Sequence, residues 1–167
     1  MVEATADTPQ KNTVVEDADD EMFHPQIGVE AQFIKDLSFE NPLGPDMMNQ
    51  TPEVNVAVST NARSLEDGKY EVAIVIRGEA KTPEATVFIV ELTYAGVLTI
   101  SNAPQDAIGP ILLIEGARLL FPFARNIVAD VSRDGGFPPL LINPIDFAEL
   151  YRDQHMTEGS TGGGWAN

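Results

Sequence analysis

The sequence predicts an α+β domain in which an antiparallel sheet comes first along the chain and helices follow. Two observations carry this prediction. Between 30 and 100, apolar residues recur with a period of two, which is the pattern of strands with one buried face. From about 106 to 156, apolar residues recur near helical spacing. Strands followed by helices, without alternation of the two, indicate the α+β class.

Four strands are expected, over 30–40, 53–60, 70–80 and 86–100. The last three are separated by short segments with turn signals, such as Glu66–Lys69. Successive strands with short turns favour an antiparallel meander.

The first strand has the clearest alternation. Its odd positions Ala31, Phe33, Leu37 and Phe39 are apolar, with Lys35 as the exception, so these residues are predicted to share one buried face. A long alternating strand at a sheet edge would also invite pairing with a second copy of the chain.

Two helices are predicted. The first covers about 106–133 and contains Pro122, where we expect a kink or break because proline lacks a backbone donor and crowds the preceding turn. The second covers about 143–156, with Asn143 as N-cap, Pro144 at the first helical position and Asp146 at the third.

Both ends of the chain differ in composition from its centre. Residues 1–27 are rich in acidic and small polar residues and are expected to be a disordered acidic arm. Residues 157–167 are Gly-rich, carry the only Trp, and are expected to be a flexible tail. The folded domain is therefore predicted to cover 28–156.

The composition argues against several classes of function. With 26 acidic and 10 basic residues the net charge is −16, which disfavours nucleic acid and anionic membranes and favours basic partners. The absence of Cys excludes disulfides, thiolate zinc sites and thiol catalysis. The N-terminus lacks the apolar core of a signal peptide, and no uninterrupted apolar run approaches the length of a membrane helix. We therefore expect a cytoplasmic protein without direct membrane insertion.

No catalytic or metal-binding constellation is evident. The two histidines, His24 and His155, have no second ligand at metal spacing. The stretch Gly159–Gly164 lacks the lysine and the strand–helix context of a phosphate-binding loop. An enzyme with a carboxylate pair is the alternative, and no residue specifically favours it. We expect no catalysis and no cofactor.

A binding function is the remaining interpretation. If the loop 41–52 lies beside the last helix, the two would form an apolar groove from Leu43, Met47, Met48, Phe147, Leu150 and Tyr151. Ordinary core packing explains each of these residues about equally well when taken singly. Acidic residues on the sheet are at least as well explained by a solvated face.

The first helix is apolar on more than one side, which is more than one sheet contact requires. We infer a homo-oligomer in which helices are buried between subunits. The predicted interface residues are Ile111, Leu112, Leu119, Leu120, Phe123 and Ile127.

Four stretches resemble the SecB family of bacterial protein-export chaperones, in its alphaproteobacterial form. They are Phe33–Asn41, Pro52–Val54, Leu120–Arg125, and Gly136–Leu140 continuing into Asn143–Phe147. Their order and spacing match across about 30–155, and the strings KDLSFE and LFPFAR are specific in combination.

The resemblance implies a four-stranded antiparallel sheet packed with two helices and assembled as a dimer of dimers. It also implies a chaperone that uses no ATP or cofactor, binds unfolded precursor proteins, keeps them competent for translocation and delivers them to the SecA ATPase. The SecA-contacting face would hold Asp36, Glu40, Ile89 and Glu91. The client groove would hold Leu43, Met47, Met48, Phe137, Phe147, Leu150 and Tyr151.

Three hypotheses remain open at this point. The first is an export chaperone with many unfolded clients. The second is a SecB-like chaperone with one specific client, such as an antitoxin. The third is an enzyme, which would need a polar pocket and turnover.

Overall fold

The structure is a computed structural model that describes residues 24–47 and 51–159, and the statements below concern those residues. The strands are β1 (Gln26–Glu40), β2 (Glu53–Ser64), β3 (Lys69–Lys81) and β4 (Thr86–Ser101). They form one four-stranded sheet in which every neighbouring pair is antiparallel. Helices follow the sheet along the chain, so the predicted α+β class is confirmed.

The order of strands in the sheet is β1-β4-β3-β2. The meander prediction is therefore right for β2, β3 and β4 and wrong for β1. The connection between β1 and β2 is too long for a hairpin, and it carries the chain from one edge of the sheet to the other. Both β1 and β2 are edge strands.

The predicted single apolar face of β1 is wrong because the strand is bulged twice. Its register against β4 shifts between Val29 and Ala31 and again between Ile34 and Asp36. Each extra residue moves the following side chains to the opposite face. As a result Phe33, which pairs with Ala95, lies on the face away from the helices, whereas Leu37 and Phe39 lie on the face toward them. Lys35, which interrupts the alternation, is the second extra residue.

After the sheet, the chain forms a long helix over Gln105–Asp134. It consists of a 3-10 turn (Gln105–Ala107), α1 (Ile108–Ile111), a π-helical segment (Leu112–Gly116) and α2 (Ala117–Asp134). The irregular part of this helix is the π-helical segment, whereas the sequence predicted an irregularity at Pro122.

The expected break at Pro122 is wrong, since α2 continues through it. Because Pro122 has no N–H, the carbonyl of Arg118 loses its hydrogen bond within the helix. Both residues lie on the exposed side of the helix. Water can therefore satisfy the freed carbonyl, and the proline ring does not have to enter the core.

By length and composition alone, the long helix is the one helix within the described residues that could cross a membrane. One apolar side of it is already occupied, because Ala117, Leu120, Ala124 and Val128 are completely buried. The same test is met by the core helix of a protein outside the membrane, which is how we interpret this element.

Glycine ends α2. Gly136 has φ +92° and terminates the helix in a Schellman motif, in which its N–H bonds to Arg133 O and the N–H of Phe137 bonds to Ser132 O. Gly135 is required for a different reason. A Cβ there would lie 2.3 Å from the ring of Phe39.

The last helix is α3 (Phe147–Gly159), which begins later than predicted. Asp146 is its N-cap, because Asp146 Oδ1 accepts hydrogen bonds from the N–H groups of Ala148 (3.0 Å) and Glu149 (3.1 Å). The prediction of Asn143 as N-cap is therefore wrong. These hydrogen bonds, chiefly the one from Glu149, hold the pKa of Asp146 below its usual value.

One core lies between the sheet and the helices. Its largest fully buried side chains include Ile74, Ile76, Leu92, Leu98, Leu120 and Phe147. At the two ends, β1 begins two residues before the predicted domain boundary and α3 extends three residues past it. Residues 1–23 and 160–167, which hold most of the predicted arm and tail, lie outside the described residues.

Candidate functional site

Two adjoining cavities lie along the edge strand β2, with volumes of about 490 Å³ and about 510 Å³. Both are lined by Val54 and Leu140, so they form one continuous depression, which we call the groove. The first cavity is lined by Thr51, Pro52, Val54, Val87, Phe88, Gly136, Phe137, Pro138, Pro139 and Leu140. The second is lined by Val54, Val56, Val58, Leu140, Leu141, Ile142, Asn143, Pro144, Ile145 and Leu150.

One wall of the groove is the helix-facing side of β2. Val54, Val56 and Val58 alternate along this strand, so their side chains point to the same face. Val54 and Val56 remain 40% and 38% exposed because no further strand or helix within the described residues covers them. An edge strand thus presents an apolar row to the groove.

The other wall is the segment between α2 and α3. Ser132, completely buried in α2, accepts a hydrogen bond from the N–H of Leu140 (2.8 Å) and donates to the carbonyl of Val128 (2.9 Å). This contact fixes the segment against the helix. Pro138 and Pro139 have apolar side chains and no backbone N–H donors, so their only polar backbone groups are carbonyl acceptors.

Two aromatic rings, Phe88 and Phe137, form the base of the first cavity, and Phe39 packs against both. Phe88 lies 4.7 Å from Phe137 and 5.6 Å from Phe39, measured between ring centroids. Phe88 is buried, whereas Phe137 is half-buried and faces the opening. Offset and tilted rings at these distances attract one another beyond the effect of their buried area, so the base should be stiff.

Helix α3 closes the far end of the groove. The side chain of Gln154 accepts hydrogen bonds from Thr60 N (3.3 Å) and Oγ1 (3.1 Å) and donates to Thr60 O (3.2 Å). This clasp holds α3 against β2 and places Leu150, one turn earlier, in the second cavity.

Of the predicted groove residues, Phe137 and Leu150 line the groove. Phe147 is only 1% exposed and packs edge-on against Phe121, so it belongs to the core and not to the groove. Leu43 is half-buried against the core, and Tyr151 stacks on His155.

The two methionines give no further information on the groove. Met47 ends a 3-10 turn over Gly44–Met47. Met48 lies outside the described residues.

Sequence reasoning missed most of the groove. Val54 and Val56 fall in the predicted strand 53–60 with one buried face, and Pro138–Pro139 follow the predicted end of the first helix, so neither pair was assigned to a groove. The available signal was the apolar run Leu140–Ile142, in a segment with no helical or strand pattern. Leu141 is 66% exposed, which its apolar character does not predict.

A second surface is the sheet face that points away from the helices. Glu40 pairs with Ile89, and Ser38 with Glu91, in the β1–β4 register, so the predicted residues Asp36, Glu40, Ile89 and Glu91 share this face. Glu91 also forms an ion pair with Arg77 of β3. The structure therefore brings the four predicted residues together.

The same face holds a buried carboxylate. Glu71 on β3 is 6% exposed and binds Lys35 Nζ of β1 (2.5 Å) and Arg63 of β2 (2.6 Å). Hydrogen bonds from Arg63 and then Lys35 lower the pKa of Glu71 to about 2. No group of three or more His, Cys, Asp or Glu that could hold a metal occurs in 24–47 or 51–159.

The predicted oligomer-interface residues fall into two groups. Leu112 and Leu120 are 3% and 0% exposed and pack in the core of the chain, which leaves no surface for a partner. Leu119 and Phe123 are 44% and 51% exposed. Ile111 and Ile127 are half-buried.

Comparisons with known proteins agree on one family. The sequence model of a family described as preprotein translocase subunit SecB matches residues 20–158. A protein-export protein SecB from Bradyrhizobium sp. is 46% identical over 142 residues, which cover 83% of this chain and 88% of the relative. Another from Azorhizobium caulinodans is 47% identical and covers 80% of this chain and 86% of the relative.

The fold also resembles a solved structure. A SecB-like chaperone of Mycobacterium tuberculosis, in complex with a ChAD peptide from the HigA1 antitoxin, superposes with a TM-score of 0.60. The two chains are 12% identical, and the match covers 71% of this chain and 90% of the other. At this identity the likeness concerns the fold.

Proposed function

This chain belongs to the SecB family of protein-export chaperones, and we propose that it holds unfolded precursor polypeptides in the groove along β2. Members of the family bind precursor proteins, keep them competent for translocation and deliver them to SecA. The observation that carries the proposal is the continuous apolar groove beside an uncovered edge strand.

The chemistry of the groove suits an unfolded client. Among the residues that the structure describes, its lining is dominated by aliphatic, aromatic and proline residues and contains no charged side chain. Such a surface gains free energy from apolar client segments without reading a particular sequence. A folded protein hides those segments and therefore has little to offer. The net charge of −16 should speed encounter with basic segments and lose this effect in salt.

The test is a charge placed in the groove. We expect Val56→Asp to weaken the binding of an unfolded polypeptide by about tenfold, because the carboxylate would lose water when the client covers it. Binding is measured by titration with the same polypeptide, presented unfolded and folded. The matched control is Ala57→Asp, since Ala57 is exposed on the opposite face of the same strand.

Equal weakening by both substitutions would show that charge in general, and not the groove, governs binding. A groove occupied by the folded form of the polypeptide would also contradict the proposal. A pull-down from cells distinguishes a chaperone that binds many unfolded precursors from one that binds a single dedicated client. The 46–47% identity to export proteins favours the former.

The sheet face is our candidate for SecA contact. We expect Asp36→Lys or Glu91→Lys to weaken SecA binding while the affinity for unfolded polypeptide is unchanged, because the groove lies on the other side of the sheet. Glu91→Lys should have the larger effect, since it also removes the ion pair with Arg77 and places two cations together. Equal loss of both affinities would contradict this division of labour.

We further infer a dimer of dimers in the cytoplasm that acts without catalysis, ATP or cofactor. What supports this is the family, together with the exposed Leu119 and Phe123 on the long helix.

A further inference from the structure

The second cavity is an apolar surface that nothing in the described residues covers. Leu141 is 66% exposed and Val56 38% exposed, with Leu150 beside them. Apolar patches of this kind on a protein surface usually have an occupant.

The geometry of α3 sets the reach of the residues that follow it. α3 runs alongside β2, because Leu150 lines the cavity with Val58 and Gln154 is clasped to Thr60 farther along the strand. The helix ends at Gly159, nine residues past Leu150, which is about 13 Å along its axis.

The chain then has six residues to Trp165. Six extended residues span up to about 20 Å, so Trp165 can return to Leu150 with several ångströms to spare. The first cavity is out of range, since Val54 lies four strand residues beyond Val58, about 13 Å farther away.

The sequence of this segment suits such a return. Gly162–Gly164 precede Trp165, and glycines adopt the conformations of a reversed chain without steric cost. Trp165 is the only Trp in the protein, and tryptophan is the side chain that most often anchors a segment in an apolar pocket.

We propose that Trp165 of this chain docks in the second cavity and competes there with incoming polypeptide. Docking itself is independent of the proposed function, whereas the competition rests on it. A tethered side chain has a high effective concentration, so even a weak contact occupies the cavity. The effect is to lower the apparent affinity for weakly apolar segments, because only the fraction of open grooves can bind them.

Intrinsic fluorescence tests the docking directly, since Trp165 is the sole tryptophan. In the full chain without client, we expect its emission to be blue-shifted and its acrylamide quenching to be reduced, relative to a peptide of residues 157–167. Leu141→Asp should abolish both differences. Thr51→Asp, an equal charge at the far end of the first cavity, should leave them in place.

Emission and quenching equal to those of the peptide would overturn the proposal. A blue shift that Leu141→Asp does not change, or one that disappears on dilution, would also overturn it, because the cavity or the same-chain docking would then be wrong.

Competition is tested separately by Trp165→Gly. We expect it to tighten the binding of an unfolded polypeptide by about threefold or more, as for a groove open less than a third of the time. If the fluorescence of the parent protein shows docking but Trp165→Gly leaves the affinity unchanged, the competition alone would be overturned. Absence of client binding in the parent protein would instead contradict the proposed function.

Discussion

Glu71 ties three strands of the sheet together through one side chain. Its carboxylate lies on β3 and accepts hydrogen bonds from Arg63 on the neighbouring edge strand and from Lys35, which reaches over β4 from the other edge. Lys35 can do this because it is the extra residue of the β1 bulge. A burial of 94% would be costly for this charge without both partners.

We expect Glu71→Gln to lower stability at neutral pH and to lose this effect in acid. The folded pKa of about 2 lies below the ordinary value of 4.5, so the stabilisation is present above about pH 5 and disappears as pH falls toward 2. Because Lys35 and Arg63 are 46% and 60% exposed, solvent screens the ion pairs, and we expect roughly 1–2 kcal/mol.

The measurement is urea unfolding of both proteins at several pH values between 7 and 2. Glu91→Gln is the control, since Glu91 forms its ion pair at a far more exposed position. A difference between wild type and Glu71→Gln that stays constant down to pH 2 would contradict the assignment.

At the scale of elements, local patterns predicted the strands better than their faces. All four predicted strands exist, because period-two alternation reports directly on burial of one face. The faces of β1 were wrong because a bulge reverses every later side chain while leaving the sequence period unchanged. The one clue was Lys35 at an apolar position.

The helix boundaries show the same limit. Asn143 and Pro144 form a good helix start, yet the chain stays extended until Asp146. The reason is tertiary: Ile142 is 6% exposed and Ile145 packs against the core, so the segment is held as a groove wall. Packing of this kind overrides local capping preference.

The clasp between α3 and β2 is expected to depend on Gln154. Gln154→Ala removes three hydrogen bonds to Thr60, and the buried Thr60 N–H is left without its partner. We expect α3 to open locally more often, at a cost of about 1–3 kcal/mol for the unsatisfied group.

Hydrogen exchange measures this opening. Amides of α3 should exchange faster in Gln154→Ala, while those of β3 and β4 should be unchanged. Arg152→Ala, an exposed position on the same helix, serves as the control. Uniformly faster exchange throughout the sheet would mean that the clasp stabilises the whole fold and not α3 in particular.

At the scale of the whole molecule, the groove was the least predictable feature. It joins Val54 of β2, Phe88 of β4 and Phe137 after α2, which are far apart in the sequence. Their meeting depends on β2 lying at an edge, and the crossover from β1 to β2 puts it there. Local periodicity contains no information on that crossover, so the sequence predicted a groove between the loop 41–52 and the last helix and not along β2.

The exposed apolar surface of the subunit lies beside the other edge. Leu119 and Phe123 project from the long helix. Ile34 of β1 lies beside them, because its pairing partner Tyr94 stacks on Phe123, and it is 47% exposed. This surface is separate from the groove on β2. Its position beside the free edge of β1 would let a second subunit pair with the strand and cover the apolar side chains together.

We therefore expect Phe123→Asp to dissociate the proposed assembly, because it would place a charge in the proposed subunit interface, while the fold of the chain survives because Phe123 is 51% exposed. Light scattering coupled to size-exclusion chromatography measures the mass, and circular dichroism checks the fold. Arg118→Asp, another exposed position on α2, is the matched control.

Deletion of residues 1–24 should leave the assembly intact, since β1 begins at Gln26. A tetramer that tolerates Phe123→Asp, or one that dissociates when the arm is removed, would show that the subunits meet through other residues.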